Sequence, residues 1–148
     1  MGDLYLTGGE QRSSVFLPNA EWHGAKKAVV LRVDPDTSKV IDRIEYLSPG
    51  NTCPNDNPAI AFTAATPCRN RLCTCPGAEV IVFELPGFRR LTYISLPCFY
   101  LHHVLPTPSG ILIVVVTGLD MVVLVDSHSL ISPWAFLQLR ANLGSAMQ

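Results

Sequence analysis

Three short stretches carry the side chains best suited to chemistry: Asn55-Asp56-Asn57-Pro58, His102-His103 and Thr117-Gly118-Leu119-Asp120. Asp56, Asp120 and the amide oxygens of Asn55 and Asn57 are hard oxygen donors of the kind a calcium-like cation takes. His102 and His103 suit a softer metal or proton transfer. Neighbouring residues of a strand point to opposite faces, so one His of the pair faces any shared cavity. Each stretch also has a plainer reading. Asn-Asp-Asn-Pro forms a turn unaided, a Gly-containing loop at 117–120 needs no ligand, and a His at a strand start is often only a hydrogen-bonded structural residue.

The remaining reactive groups form no recognisable machinery. Five cysteines (Cys53, Cys68, Cys73, Cys75 and Cys98) leave an odd one in any disulfide scheme, and with no export signal they read as thiols. Cys73-Thr74-Cys75 places two sulfurs on one side of a strand, with Cys68 nearby. The paired spacing of a structural zinc site is missing, so small buried hydrophobes is the better reading. Ser14, Ser48, Ser109 and Ser129 lack the Gly-x-Ser-x-Gly context of a nucleophile elbow, and no Gly-Lys-Ser/Thr follows Gly8-Gly9. Trp22-His23 sits in a long polar loop that reads as exposed.

Composition narrows the classes further. The 148 residues are 48% apolar, enough for a core, and 11 basic side chains face 12 acidic ones. Lys26-Lys27 and Arg89-Arg90 are isolated doublets, so no phosphate-binding stripe exists and nucleic acid is excluded as the expected partner. Met1-Gly2 is followed by Leu6 where a myristoylation site wants Ser or Thr. The strongest apolar run, Ile111 to Val116, is far too short to span a membrane. The expectation is a soluble, cytoplasmic chain with no membrane partner.

The elements that must position these residues are strands. Twelve prolines are scattered along the chain and β-branched alternation recurs, which favours an all-β architecture. A strand–turn–strand unit appears three times. Val29 to Asp34 leads into Val40 to Tyr46, Val80 to Leu85 into Leu91 to Leu96, and Met121 to Asp126 into a blurred second half. The onsets lie 51 residues (29 to 80) and 41 residues (80 to 121) apart, the period of four-stranded β-propeller blades. The expected division is a partial blade at 1–47, a blade at 53–97, a blade from 101 to 126 onward, and a segment without clear period at 127–148. Within it a polar loop is expected from about Gly8 to Lys27, a turn at Asp34-Pro35-Asp36-Thr37, and a first strand of the second blade at Ile60 to Ala64.

Two to three blades are too few to close a propeller. An incomplete chain or self-association through open sheet edges is therefore expected. In such a blade the first strand runs along the central channel, and loops leading into first strands share a face with those joining second to third strands. That geometry gathers residues 55–58, 76–79, 100–103 and 117–120 around one polar mouth.

Three further runs carry a resemblance: Leu91 to Phe99, His102 to Gly110 and Thr117 to Val122. Over roughly residues 53–126 the chain resembles uncharacterised bacterial six-bladed β-propeller proteins. It is more distantly similar to the superfamily of gluconolactonases, paraoxonases and strictosidine synthase. The resemblance implies a calcium or other divalent ion at the channel mouth, polarising an ester or lactone carbonyl, with Asn55, Asp56 and Asp120 as its ligands here. The chain departs from the pattern ahead of the His pair, where Tyr100-Leu101 stands in place of an Asn-Asp pair.

The reading that follows is a non-catalytic segment binding a small polar molecule or protein partner through Asn55, Asp56, Asn57, His102, His103 and Asp120. The alternative is a divalent-metal-dependent hydrolase of the lactonase or esterase type, or an inactive fragment of one.

Overall fold

The computed structural model describes residues 2–11, 25–49, 60–98 and 100–126, and the backbone of a strand at 135–138. The described strands form three antiparallel sheets, each a meander whose neighbours in space are neighbours in sequence. The first sheet contains β1 (Leu4–Gln11), β2 (Ala25–Asp34) and β3 (Lys39–Tyr46). The second holds β4 (Phe62–Cys68), β5 (Arg71–Pro76), β6 (Glu79–Glu84) and β7 (Arg89–Ser95). The third holds β8 (Leu101–Pro106), β9 (Ile111–Val116), β10 (Met121–Asp126) and β11 (Ala135–Gln138). No helix among the described residues is long and apolar enough to cross a membrane.

Local chemistry explains the turns. Asp34 Oδ1 accepts the Asp36 amide at 2.9 Å, while Oδ2 accepts the Thr37 hydroxyl at 2.7 Å, closing the β2–β3 connection as an Asx turn. At the β8–β9 turn Gly110 takes φ +88°, a conformation that a Cβ would penalise, and its amide reaches Thr107 O at 3.1 Å.

Three boundaries differ from the sequence-based expectation. The polar loop expected from Gly8 to Lys27 is shorter at both ends, because Glu10 pairs with Lys26, Lys27 and Arg43 on an exposed sheet surface. The strand expected at Ile60–Ala64 begins at Phe62 and runs on through Pro67 to Cys68. Pro67 is tolerated because β4 is an edge strand with one unpaired side. Finally, β11 pairs with β10 through registers such as Val123 to Phe136, giving the third sheet a fourth strand where the sequence shows no period.

The sheets stack face to face through two apolar layers. Ala28 and Val30 of β2 meet Leu72, Ile81 and Phe83 of the second sheet, with Phe62 and Phe88 completing the layer. Cys73, Cys75, Val80 and Val82 on the opposite face of the second sheet meet Leu112, Val114, Val116, Val123 and Val125 of the third. Edge-to-face contacts link Tyr5, Phe88, Phe83 and Phe62 through the first layer, with ring centroids 5.8 to 6.4 Å apart. Each such pair adds about 0.5–1.5 kcal/mol beyond its burial. Gly9 is needed where β1 meets the chain entering β4, since a Cβ there would stand 2.7 Å from that of Ala25 and 2.8 Å from that of Ala61.

These layers also correct the phase of the repeat. Residues facing the following sheet are Ala28 and Val30 in β2 but Val80 and Val82 in β6, a spacing of 52 (28 to 80). Residues facing the preceding sheet are Ile81 and Phe83 in β6 and Val123 and Val125 in β10, a spacing of 42 (81 to 123). Both exceed the onset spacings by one. The runs are apolar at consecutive positions, so an onset carries no information about facing, and a one-residue slip exchanges the two faces.

Candidate functional site

The first strands of the second and third sheets, β4 and β8, pack on one another, and polar groups lie along their contact. A bulge between Leu101 and His103 interrupts the pairing of β8 with β9 at His102. His102 is left exposed, and its carbonyl accepts the Thr63 hydroxyl at 3.0 Å; the same hydroxyl lies 3.2 Å from Leu101 O. His103 is half-buried, with Nε2 3.0 Å from Thr66 Oγ1. The two histidines therefore occupy different environments, one in solvent and one held against β4.

Backbone hydrogen bonds tie the chain at the starts of these strands. Leu101 N donates to Gly77 O at 2.9 Å, and Ile60 N donates to Ala25 O at 3.1 Å. In both cases the start of the chain run into β4 or β8 bonds back to the sheet before it, at the first residue of β2 and at the β5–β6 connection. Thr117 donates to Tyr100 O through both its amide (3.1 Å) and its hydroxyl (3.0 Å), bringing the 117–120 turn against the start of β8. Asp120 closes that turn exposed, at φ +47°. Asn55, Asp56 and Asn57 lie outside the described residues. Among the described residues no three His, Cys, Asp or Glu side chains gather to hold a metal.

The most constrained polar group on this side is one that sequence reasoning placed at the mouth without assigning it a role. Glu79 begins β6 fully buried. Its Oε1 accepts the hydroxyls of Tyr46 and Tyr93, each at 2.9 Å, and its Oε2 accepts Ser48 Oγ at 2.6 Å. The donors come from the end of the first sheet and from β7, so the carboxylate joins two sheets. Burial and then the Glu79 hydrogen bond push the Tyr46 phenol above its usual range, and Tyr93 moves the same way for the same causes. Arg90 stands 5.6 Å from the Tyr93 ring centroid. A signal was present in the sequence: Glu79 shares a face with Ile81 and Phe83, where alternation calls for an apolar residue.

Chemically this arrangement holds rather than activates. The Glu79 oxygens are engaged by three hydroxyls, and phenols held protonated are donors. Burial pushes the Cys73 and Cys75 thiols up to about 11, and Cys98 upward as well, which removes their nucleophilic character at neutral pH. All four described cysteines are free. Among the described residues no buried side-chain nitrogen or oxygen lacks a partner.

Neither a protein-family model nor a curated protein matches the chain. Among solved structures the chain is similar to the β-propeller domain of Myceliophteria thermophila Cps50 (Swd1), at 16% identity and a TM-score of 0.53. The match covers 79% of this chain and 32% of that one, so the chain spans about a third of that domain's length. At this identity the likeness shows the fold alone. The bacterial six-bladed family and the gluconolactonase-like superfamily are not confirmed by it. The chain is all-β, three antiparallel sheets forming part of a β-propeller.

Proposed function

We propose that the chain is a non-catalytic binding segment of β-propeller type, presenting its polar mouth to a small polar molecule or a protein partner. Asn55, Asp56, Asn57, His102, His103 and Asp120 are the residues assigned to that mouth. One observation carries the reading: the ionisable groups around the inner strands are satisfied instead of poised. Glu79 is held by three hydroxyls, His103 by Thr66, and the buried thiols are held neutral. The free thiols fit a reducing, cytoplasmic setting. The outer faces of the first and third sheets leave Leu4, Leu6, Leu105 and Leu124 exposed, and self-association would cover them.

The competing reading is the metal-dependent lactonase or esterase. It needs hard oxygen ligands beyond Asp120, and these would come from Asn55 and Asp56. Thermal unfolding with and without millimolar calcium, run beside lactone and ester hydrolysis, separates the two. The binding reading predicts a calcium shift below about 1 °C and no turnover. A calcium-raised Tm that Asp56→Ala abolishes, together with ester turnover, would establish the hydrolase instead.

A further inference from the structure

Three cross-strand pairs hold the same place in the three sheets: Leu6–Leu31, Leu72–Phe83 and Leu112–Val125. Their second members lie 52 and 42 residues apart (31 to 83, 83 to 125), the spacings that set the facing of the sheets. In the second and third sheets the pair is buried against the sheet before it, with Leu72 1% and Leu112 3% exposed. Leu6 has no such cover among the described residues and is 46% exposed. The other half of the contact repeats in the same way. Val30, Val82 and Leu124 are equivalent positions facing away from the preceding sheet (30 to 82, 82 to 124), and they are 0%, 4% and 36% exposed. The described stack thus hides two complete contacts and displays the unmatched halves of a third, one at each end. A shallow groove of about 380 Å³ crosses the open face of the first sheet, with Leu6, Gly8, Val29 and Leu31 in its lining. At its charged end Glu10, Lys27, Arg43 and Glu45 pair with one another, so none of these four charges would be buried alone.

We propose that a second copy of the chain covers both faces, its third sheet on this first sheet and its first sheet on this third. Leu124 of one copy enters the groove beside Leu6 and Leu31 of the other, as Val30 shares a layer with Leu72 and Val82 shares one with Leu112. The new contact continues a stack the chain already makes twice. Number selects two copies, since propellers close with about four to eight blades. One copy supplies three sheets, three copies would supply nine, and two supply six. The contact is heterologous, first sheet to third, and such a contact forms a ring where its rotation closes and an open fibre where it does not. The inference rests on the self-association named above and gives it a surface and a stoichiometry.

The test follows the mass of the full chain by light scattering over about a hundredfold range of concentration. The expected result is a rise from one chain mass to two, with a plateau there. Gly8→Arg and Leu124→Asp each place a charge in the contact and should weaken association about a hundredfold. Both act on association and not on the fold of one copy, because a Cβ added at Gly8 meets nothing within 4 Å and Leu124 stands on the open face. Mixing the two variants decides between surfaces. One contact of the mixed pair is then native, and in the other the introduced cation faces the introduced carboxylate, so the dimer should return. Unfolded chains would not restore it. Full association of either single variant, or no recovery on mixing, would overturn the stacked pair while leaving self-association through another surface standing. A mass that climbs past two chains without a plateau would overturn the closed ring. One chain mass at every concentration would overturn both this contact and the self-association it rests on.

Discussion

The second sheet and its two neighbours are built from similar residues but live in different surroundings. In β5 and β6 all but the terminal Arg71 and Glu84 are buried, because apolar layers cover both faces. In β9 burial alternates strictly, Leu112, Val114 and Val116 inward and Ile111, Ile113 and Val115 half-exposed, because only one face is covered. The lesson is that apolar sequence does not report burial in this fold. Stacking order does, and a blade at the end of a stack displays the same side chains that a middle blade hides.

The sharpest way to break this comparison is to place the same charge on both kinds of face. Val82→Asp buries an unpaired carboxylate between the second and third sheets and should cost more than about 3 kcal/mol, enough to prevent cooperative folding. Leu124→Asp changes the uncovered face of the third sheet and should stay within about 1 kcal/mol. Thermal melts of the two proteins decide it. A cooperative Val82→Asp melt close to that of the parent would mean that the layer is not formed.

Next in size is the carboxylate that joins the first two sheets. Glu79→Ala removes the acceptor of three hydroxyls and should destabilise by about 2–4 kcal/mol, while Glu79→Gln keeps an acceptor and should cost about half as much. Urea denaturation measures both, and equal small losses would show that Glu79 is solvated. Smaller still is Thr66→Val, which withdraws the partner of His103. A loss of about 1 kcal/mol is expected, with a changed His103 imidazole resonance in NMR. No shift of that resonance would separate the inner strands.

Much of this was legible in the chain, and the misses share a cause. The all-β class, the first two hairpins and the Asp34 turn follow from β-branched runs and turn residues, which act locally. The facing of β2, β6 and β10 did not follow, because Val29-Val30, Val80-Ile81 and Val122-Val123 are apolar at consecutive positions and only tertiary stacking sets their phase. The extension of β1 to Gln11 was hidden because its polar residues are satisfied across the sheet by Lys26, Lys27 and Arg43. At the site, His102 and His103 were recognisable as residue types. The bulge that sets their environments is a pairing event with no signature at that position. Glu79 was visible as a break in alternation, but its three donors lie 14 to 33 residues away.

The smallest expected effect contrasts an exposed carboxylate with the buried Glu79. Hydrogen bonds from Lys26 and Lys27 hold the Glu10 carboxyl well below its ordinary value of 4.5, at about 2. Its folded pKa is depressed, so its contribution is present above the unfolded value and is lost as pH falls from about 4.5 through about 2. Because the group is exposed, added salt should screen it. An NMR titration should find the Glu10 midpoint moving up toward 4.5 in molar sodium chloride. A midpoint near 4.5 in both buffers would dissolve the ion network.

The most direct test of three stacked sheets is amide hydrogen exchange resolved along the chain. Doubly covered β5 and β6 should exchange most slowly, with β2 and β9 faster and β1 faster still. Protection of β5 and β6 no greater than that of β1 would contradict the stack, and with it the binding mouth proposed on it.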